Sequence, residues 1–564
     1  MVAPHPELQR KINNTDNIVK ANKSEFVPNL STKYPDDYID LNTHTVLMDI
    51  QPWVEDIEIL SSSPNAETNN TIQDSNTIQN LWGPFFTTID RVLVLCVDFI
   101  DSPAVTTIPT INNRFFSTTG DSFLTYYKEV SYNKWIPSGE VHGWYRAPNP
   151  RSHYINDDNG YGNYPNNAKR LVEDTIDLAK ADPAINWALF DTNDNGKIDN
   201  IIVVHAGAEA AKAGGTNLFW AHTSTITTPK YADTKSISKY LLTAEYMQYS
   251  SDAQRIGVDC HEFGHILNLP DLYDNSNNSY GVGNYSLMGM GCWGNDGLKP
   301  VHLDAWSKYK LGFMDITANP QGVVTINHAE TNADAIKYTT TNPGEYFLIE
   351  NRQQTLFDTY LPGNGLLIWH INENKSNNDN ETCFLVGLIQ ADTYRDLENK
   401  YNYGDFGDPY PGSTNKRSFG ASTTPNSLLC DGITTRDMSI TNISDSGNSM
   451  TFTASVPAIV QTPPAGCGLV TVLLPEHIEA TTMTIDKSSE PCIAGTCVLT
   501  AKVTWRNTGG VSSTFTPTIT LNGTPATSTQ VTLNAFETVG DSIIVTFTPT
   551  VATGGTYTVC PDPN

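Results

Sequence analysis

The stretch HEFGHILNLPD, His261 to Asp271, restricts this chain more than any other segment. Two histidines stand four residues apart, with a glutamate directly after the first. On a helix that spacing brings both imidazoles to one face a turn apart, where they can share one ion. Glu262 points partly away from that ion and is placed to act on a water bound to it. Upstream, Ser251 and Gln254 have capping-box spacing, so the helix is expected to begin near Asp252. Asn268 tolerates left-handed backbone and Pro270 cannot continue a helix, so the chain should bend sharply between them.

The third ligand has two candidate sources. A glutamate from a second helix is one, but the first glutamate after His265 is Glu330, in strand-rich sequence. The other resembles the metzincin pattern. There a glycine three residues past the second histidine turns the chain, and a ligand follows three residues later. Asn268 stands at the glycine position and Asp271 at the ligand position. A carboxylate is an acceptable zinc ligand beside two imidazoles. Zinc is therefore expected on His261, His265 and Asp271, with Asp274 the competing carboxylate. Downstream, NYSLMGMGCWG places Met288 so that it resembles the methionine turn beneath the metal in metzincins. The tyrosine that many of them carry two residues later is replaced by Met290, which leaves Tyr285 as the candidate for stabilising an oxyanion.

A chain of 564 residues exceeds what one core fills, so about two to four domains are expected. The net charge of -27, from 61 acidic against 34 basic residues, argues against nucleic-acid partners and anionic membranes. No apolar run is long enough to span a bilayer. The opening MVAPHPELQRK has no apolar signal core, so the chain is either cytosolic or exported and trimmed of its leader, and the second is the expectation. Nine cysteines are unevenly placed. Cys467, Cys492, Cys497 and Cys560 form an even set near the end, Cys383 and Cys430 are a further possible pair, and Cys96 reads as a buried thiol. Cys260 and Cys292 flank the suspected site, either as a pair or as two free thiols.

Between residues 86 and 315 strands and helices alternate, which predicts an α/β domain. RVLVLCVDF and NIIVVHAG read as buried strands, GEVHGWYRA as another strand, and SFLTYYKEVSYNKW and NAKRLVEDTIDLAKA as helices. From 316 to 458 short strands such as EYFLIEN, GLLIWHI and SMTFTASV predict a β-sandwich. VQTPPAG then marks a linker, and residues 459–564 show the strand spacing of an Ig-like sandwich. Residues 1–85 are polar and weakly periodic. The expected fold is thus multidomain, α/β followed by all-β. DTNDNGKID adds a calcium-loop pattern: Asp191, Asn193 and Asn195 alternate as oxygen ligands, the Lys197 carbonyl serves at the seventh position and Asp199 at the ninth. The acid of the twelfth position is missing, since Ile202 stands there.

HEFGHILNLPDLYD, SLMGMGCWG and PVHLDAWSKYKLGF resemble the immune inhibitor A family of secreted zinc metallopeptidases (peptidase family M six). VLVLCVDF, YYKEVSYNKW, GEVHGWY and DTNDNGKIDNIIVVHAG upstream, and GEYFLIENRQQ, LPGNGLLIWHI and GDPYPGST downstream, match in the same order. The resemblance covers roughly residues 88–457. It implies a metzincin-like peptidase domain, zinc-dependent endopeptidase activity on protein or peptide substrates, accessory metal sites and extracellular location. HPELQRK resembles the start of family precursors, which makes residues 1–85 a pro-segment. VTWRNTGGVSSTFTPTITLNG resembles Ig-like adhesion domains of the CARDB type, which implies docking to a cell surface or matrix. Two functions follow for test: a secreted zinc endopeptidase with Glu262 as general base, or a surface adhesin on an inactive peptidase scaffold. The intact H-E-x-x-H argues for the first, because binding alone needs no general base.

Overall fold

In the computed structural model, residues 4–6, 91–249 and 255–456 are described, together with the backbone of short strands between residues 39 and 46 and between 467 and 560. The rest of the predicted pro-segment and the Ser251–Gln254 cap lie outside the described residues. The chain divides into two compact units, residues 1–458 and 459–564. The second holds a succession of strands from Cys467–Leu473 to Thr558–Cys560. Its side chains, the four cysteines included, lie outside the described residues.

The first unit is built on a sheet formed by β1 (Arg91–Asp98), β2 (Ser138–Arg146), β3 (Ile201–Ala208), β4 (His222–Ala232) and β5 (Lys235–Tyr246). The order is β2–β1–β3–β5–β4, parallel throughout except that β4 runs antiparallel to β5 at one edge. Both faces are covered, which accounts for the unbroken apolar runs of β1 and β3. Val92, Val94, Ile202 and Val204 face helices α1 (Ile108–Phe116) and α2 (Phe123–Val130). Their neighbours Leu93, Leu95, Ile201 and Val203 face α3 (Ala168–Ala179), entered through an Asn167 cap whose side chain accepts from the Arg170 amide. Alternate residues thus fill two separate cores.

After α4 (Ile256–Ile266) and α5 (Ala305–Lys310) the chain turns to strands. These are β6 (Asp315–Ala318), β7 (Gly322–Asn327), β8 (Asp334–Thr339), β9 (Glu345–Arg352), β10 (Gly365–Asn372), β11 (Val386–Leu388), β12 (Phe419–Gly420), β13 (Ser439–Thr441) and β14 (Ser449–Ser455). They form a five-stranded sheet, β11–β10–β9–β8–β6, and a four-stranded one, β12–β13–β14–β7. Ile326, Ile336, Phe347, Ile349, Ile368 and Phe452 fill the space between them. The other face of the larger sheet does not end in solvent. Leu348, Leu367 and Trp369 belong to the same buried cluster as Phe263 and Met288. Arg352, wholly buried, reinforces this joint: it donates to Asp358 at 2.6 and 2.7 Å, and Asp358 accepts the His302 amide at 2.8 Å. The sandwich strands and the α/β sheet therefore share one interior. Cys383 and Cys430 are disulfide-bonded, whereas Cys96, Cys260 and Cys292 are free, buried thiols.

Candidate active site

α4 begins at Ile256, later than the predicted start near Asp252, with Arg255 at its cap position and no side-chain cap bond. Its entry is held instead by backbone. The Gly257 amide donates to the Gly297 carbonyl at 3.0 Å, and a Cβ at Gly257 would collide with the Cys292 carbonyl. The helix is almost entirely buried, so each of its polar residues needs a partner. Asp259 meets Arg114 at 2.8 Å and accepts from Thr243 at 2.8 Å. That locks the helix to both α1 and β5.

His261 and His265 lie one turn apart and edge to face, with ring centroids 5.0 Å apart. Each Nδ1 lies on a backbone carbonyl, His261 on Leu287 at 2.9 Å and His265 on Leu269 at 2.8 Å. A carbonyl can only accept, so the Nδ1 atoms carry the protons and the neutral rings present Nε2 lone pairs. Both Nε2 atoms approach the same atom, Asp271 Oδ1, at 3.1 and 3.3 Å. Three electron-rich atoms converging in this way fit a bound cation, and two imidazoles with one carboxylate fit zinc.

The turn that delivers Asp271 is a Schellman motif. Asn268 adopts φ 65°, its amide donates to the His265 carbonyl at 3.0 Å, and the Leu269 amide reaches the Gly264 carbonyl at 3.0 Å. Lys239 on β5 covers the helix end, donating to the His265 and Ile266 carbonyls at 3.1 and 2.9 Å and to Asn268 Oδ1 at 3.1 Å. Burial lowers its ammonium to about 8. Asp274 does not join the histidines. Its carboxylate accepts the amides of Ser276, Asn278 and Ser279 at 2.7, 3.1 and 2.8 Å, so it staples its own loop.

Beneath the helix, Met288 is fully buried, and a Cβ at Gly264 would collide with its Sδ. Its turn is pinned by Ser286, which donates to Asp304 at 2.7 Å, while the Met288 carbonyl accepts the Leu272 amide at 2.8 Å. Tyr285 is elsewhere: its hydroxyl donates to the Asp405 carbonyl at 2.6 Å and meets Asp408 at 3.2 Å. The expectation that it serves an oxyanion is corrected by this commitment to an acidic loop. Tyr273 is the residue that spacing arguments missed. Its ring lies along His261, with centroids 6.2 Å apart and 19° between the planes, and its hydroxyl bonds the Asp271 side chain. Burial first, then the charges of Asp271 and Glu262, push that phenol well above its ordinary value. Its place two residues after Asp271 was the available signal.

Glu262 is wholly buried, and its carbonyl accepts from Thr223 Oγ1 of the edge strand β4 at 2.6 Å. Its charge, after burial, contributes to raising the neighbouring Glu209 carboxyl to about 7. His222 on the same edge strand is lowered to about 4 by burial and is bonded to the Trp220 carbonyl and to Tyr240 at 2.8 and 2.9 Å. At the predicted calcium loop, Asp191 accepts the Asn195 and Gly196 amides at 2.9 and 3.0 Å, and the Lys235 ammonium pairs with it. Asn193 and Asn195 accept further loop amides at 3.1 and 2.9 Å. Asp199 meets the Thr192 and Asn193 side chains at 3.4 Å.

The family model described as immune inhibitor A peptidase M6, catalytic domain, matches residues 110–313, the segment that carries every one of the residues clustered around α4. The pre-pro-metalloprotease PrtV of Vibrio cholerae serotype O1 (strain M66-2) is 28% identical over 246 residues, 39% of this chain and 26% of its own length. Immune inhibitor A of Bacillus thuringiensis subsp. alesti is 27% identical over 199 residues, 31% of this chain and 29% of its own length. This chain therefore spans under a third of either relative. Over residues 110–313 it is similar to the M6 peptidases of the immune inhibitor A family.

Proposed function

We propose that this chain is a secreted, zinc-dependent endopeptidase, with His261, His265 and Asp271 as the zinc ligands and Glu262 as the general base. The observation that carries this reading is the convergence of both Nε2 atoms on one oxygen of Asp271, with Glu262 on the same buried helix. Zinc at that point supplies Lewis acidity to a scissile carbonyl and lowers the pKa of a water. Glu262 takes the proton of the attacking water and returns it to the leaving amine. Tyr273 orients Asp271, and the two backbone carbonyls hold the imidazoles in the tautomer that binds metal. Among the described residues β4 is the last strand of its sheet, and in this reading an extended peptide pairs along that edge.

Removal of zinc by chelation should abolish cleavage of casein, and one equivalent of zinc per chain should restore it. Cleavage that survives complete zinc removal would reject the assignment. Full zinc binding without cleavage of any protein would favour the inactive adhesin instead.

Calcium at the Asp191–Asp199 loop belongs to the same reading, supported by the spacing of Asp191, Asn193, Asn195, Lys197 and Asp199. An ion there would have to displace the Lys235 ammonium. Residues 459–564 are proposed as a docking module for a surface or matrix. A chain ending at Ala458, where the first compact unit ends, should cleave a short quenched peptide within about twofold of the full chain. Loss should appear only on large or surface-bound substrates, where docking raises effective concentration. Collapse of peptide cleavage in a folded truncated chain would place residues 459–564 in the active site.

A further inference from the structure

The acidic loop that captures Tyr285 has a composition its neutral hydrogen bonds do not explain. Asp392, Asp405 and Asp408 each bring one carboxylate oxygen within 4.8 Å of the others. Asp408 is fully buried, and among the described residues its Oδ1 has no hydrogen-bond partner. The hydrogen bonds that do reach the three carboxylates come from neutral donors. The Tyr394 amide reaches Asp392 at 3.1 Å, and the Gly407 amide and Asn402 side chain reach Asp405 at 2.7 and 2.9 Å. The Asp405 amide reaches Asp408 Oδ2 at 2.8 Å, beside the Tyr285 hydroxyl. Gly407 lets the backbone close over the group, since a Cβ there would collide with Asp392 Oδ2. Three carboxylates gathered in this way are costly unless a cation compensates them.

We propose that Asp392, Asp405 and Asp408 bind one calcium ion, separate from the zinc site and from the Asp191–Asp199 loop. The donors are all oxygen, which suits a hard cation and excludes the nitrogen and sulfur preferences of zinc and copper. The electrostatics agree with the geometry. Burial, followed by the charges of Asp405 and Asp392, raises the Asp408 carboxyl to about 7, and burial with the charges of Asp405 and Asp396 raises Asp392. The ion's structural effect follows from what the loop grips. Besides the Tyr285 hydroxyl, the Tyr403 carbonyl accepts the Asn284 amide at 2.8 Å. Gly404 lies so close to the Tyr285 ring that a Cβ would meet it at 2.5 Å. Leu287, two residues past Tyr285, supplies the carbonyl that fixes His261. Calcium therefore fastens a loop of the sandwich region to the turn beneath the histidines.

The test uses the full chain carrying Asp191→Asn, which silences the other candidate loop. It is stripped by chelation and resupplied with one equivalent of zinc. Calorimetric titration with calcium chloride should show one bound ion, and saturating calcium should raise Tm by about 3 °C or more. Asp392→Asn and Asp408→Asn, each added to that background, should remove both effects. Before calcium is added, Asp408→Asn should melt no lower than its parent, because one of three mutually repelling charges is gone. If Asp408→Asn does not fold, Asp392→Asn carries the comparison. No calcium binding by the parent, or undiminished binding and stabilisation in the folded variants, would overturn the proposal.

Discussion

Glu262→Ala is expected to keep one zinc per chain and to lose about 1,000-fold in kcat on a quenched peptide. The side chain supplies none of the three converging ligand atoms, so its removal leaves the metal's surroundings intact. Its backbone stays anchored through the Thr223 hydroxyl, and the helix around it stays anchored through Asp259. What disappears is the carboxylate that moves the water's proton. Glu262→Gln, which keeps the shape and loses the basicity, should fall by a similar factor. Metal analysis beside single-substrate kinetics decides the matter: parent-like turnover in either variant would remove Glu262 from the mechanism.

The second large effect is expected on zinc itself. Asp271→Ala should weaken zinc retention by at least about 100-fold in competition with a chelator, since it deletes a ligand and leaves two neutral imidazoles. Asp274→Ala is the informative control. It frees three backbone amides from their carboxylate and should cost about 1–3 kcal/mol of stability while leaving zinc affinity near that of the parent. The opposite ranking of the two variants would show that the wrong carboxylate had been assigned.

Much of this could be read before any coordinates. The α/β sheet was legible because β1 and β3 are buried on both faces, so Val92–Val97 and Ile201–Val204 are unbroken apolar runs. The bend at Asn268 was legible because few residues other than glycine occupy left-handed backbone at low cost. The start of α4 was not, because the Gly257 amide is satisfied by a tertiary carbonyl, that of Gly297, which leaves no local trace. Tyr285 looked catalytic by position alone, and only the fold shows it turned toward residues 405 and 408. The shared interior of the sandwich and the sheet was also hidden. Period-two alternation in β9 tells that Phe347 and Leu348 face opposite ways, not what each meets. The acidic cluster of Asp392, Asp405 and Asp408 was invisible for a related reason: its members come from two separate turns.

The interval between the histidines is conventionally written as two free letters, yet here neither is free. Phe263 lies in an aromatic socket, its ring 5.0 Å from Phe123 and 5.5 Å from both Tyr127 and Trp135, measured between centroids. Gly264 rests on the sulfur of Met288, with no room for even a methyl group. A designer who transplanted only the two imidazoles and the glutamate onto another helix would leave behind the socket and the floor that fix their rotation. The portable unit of this chemistry is consequently larger than its motif. It includes α2 and Trp135, which supply the socket, and the loop at Met288, and it would be expected to fail when grafted without them.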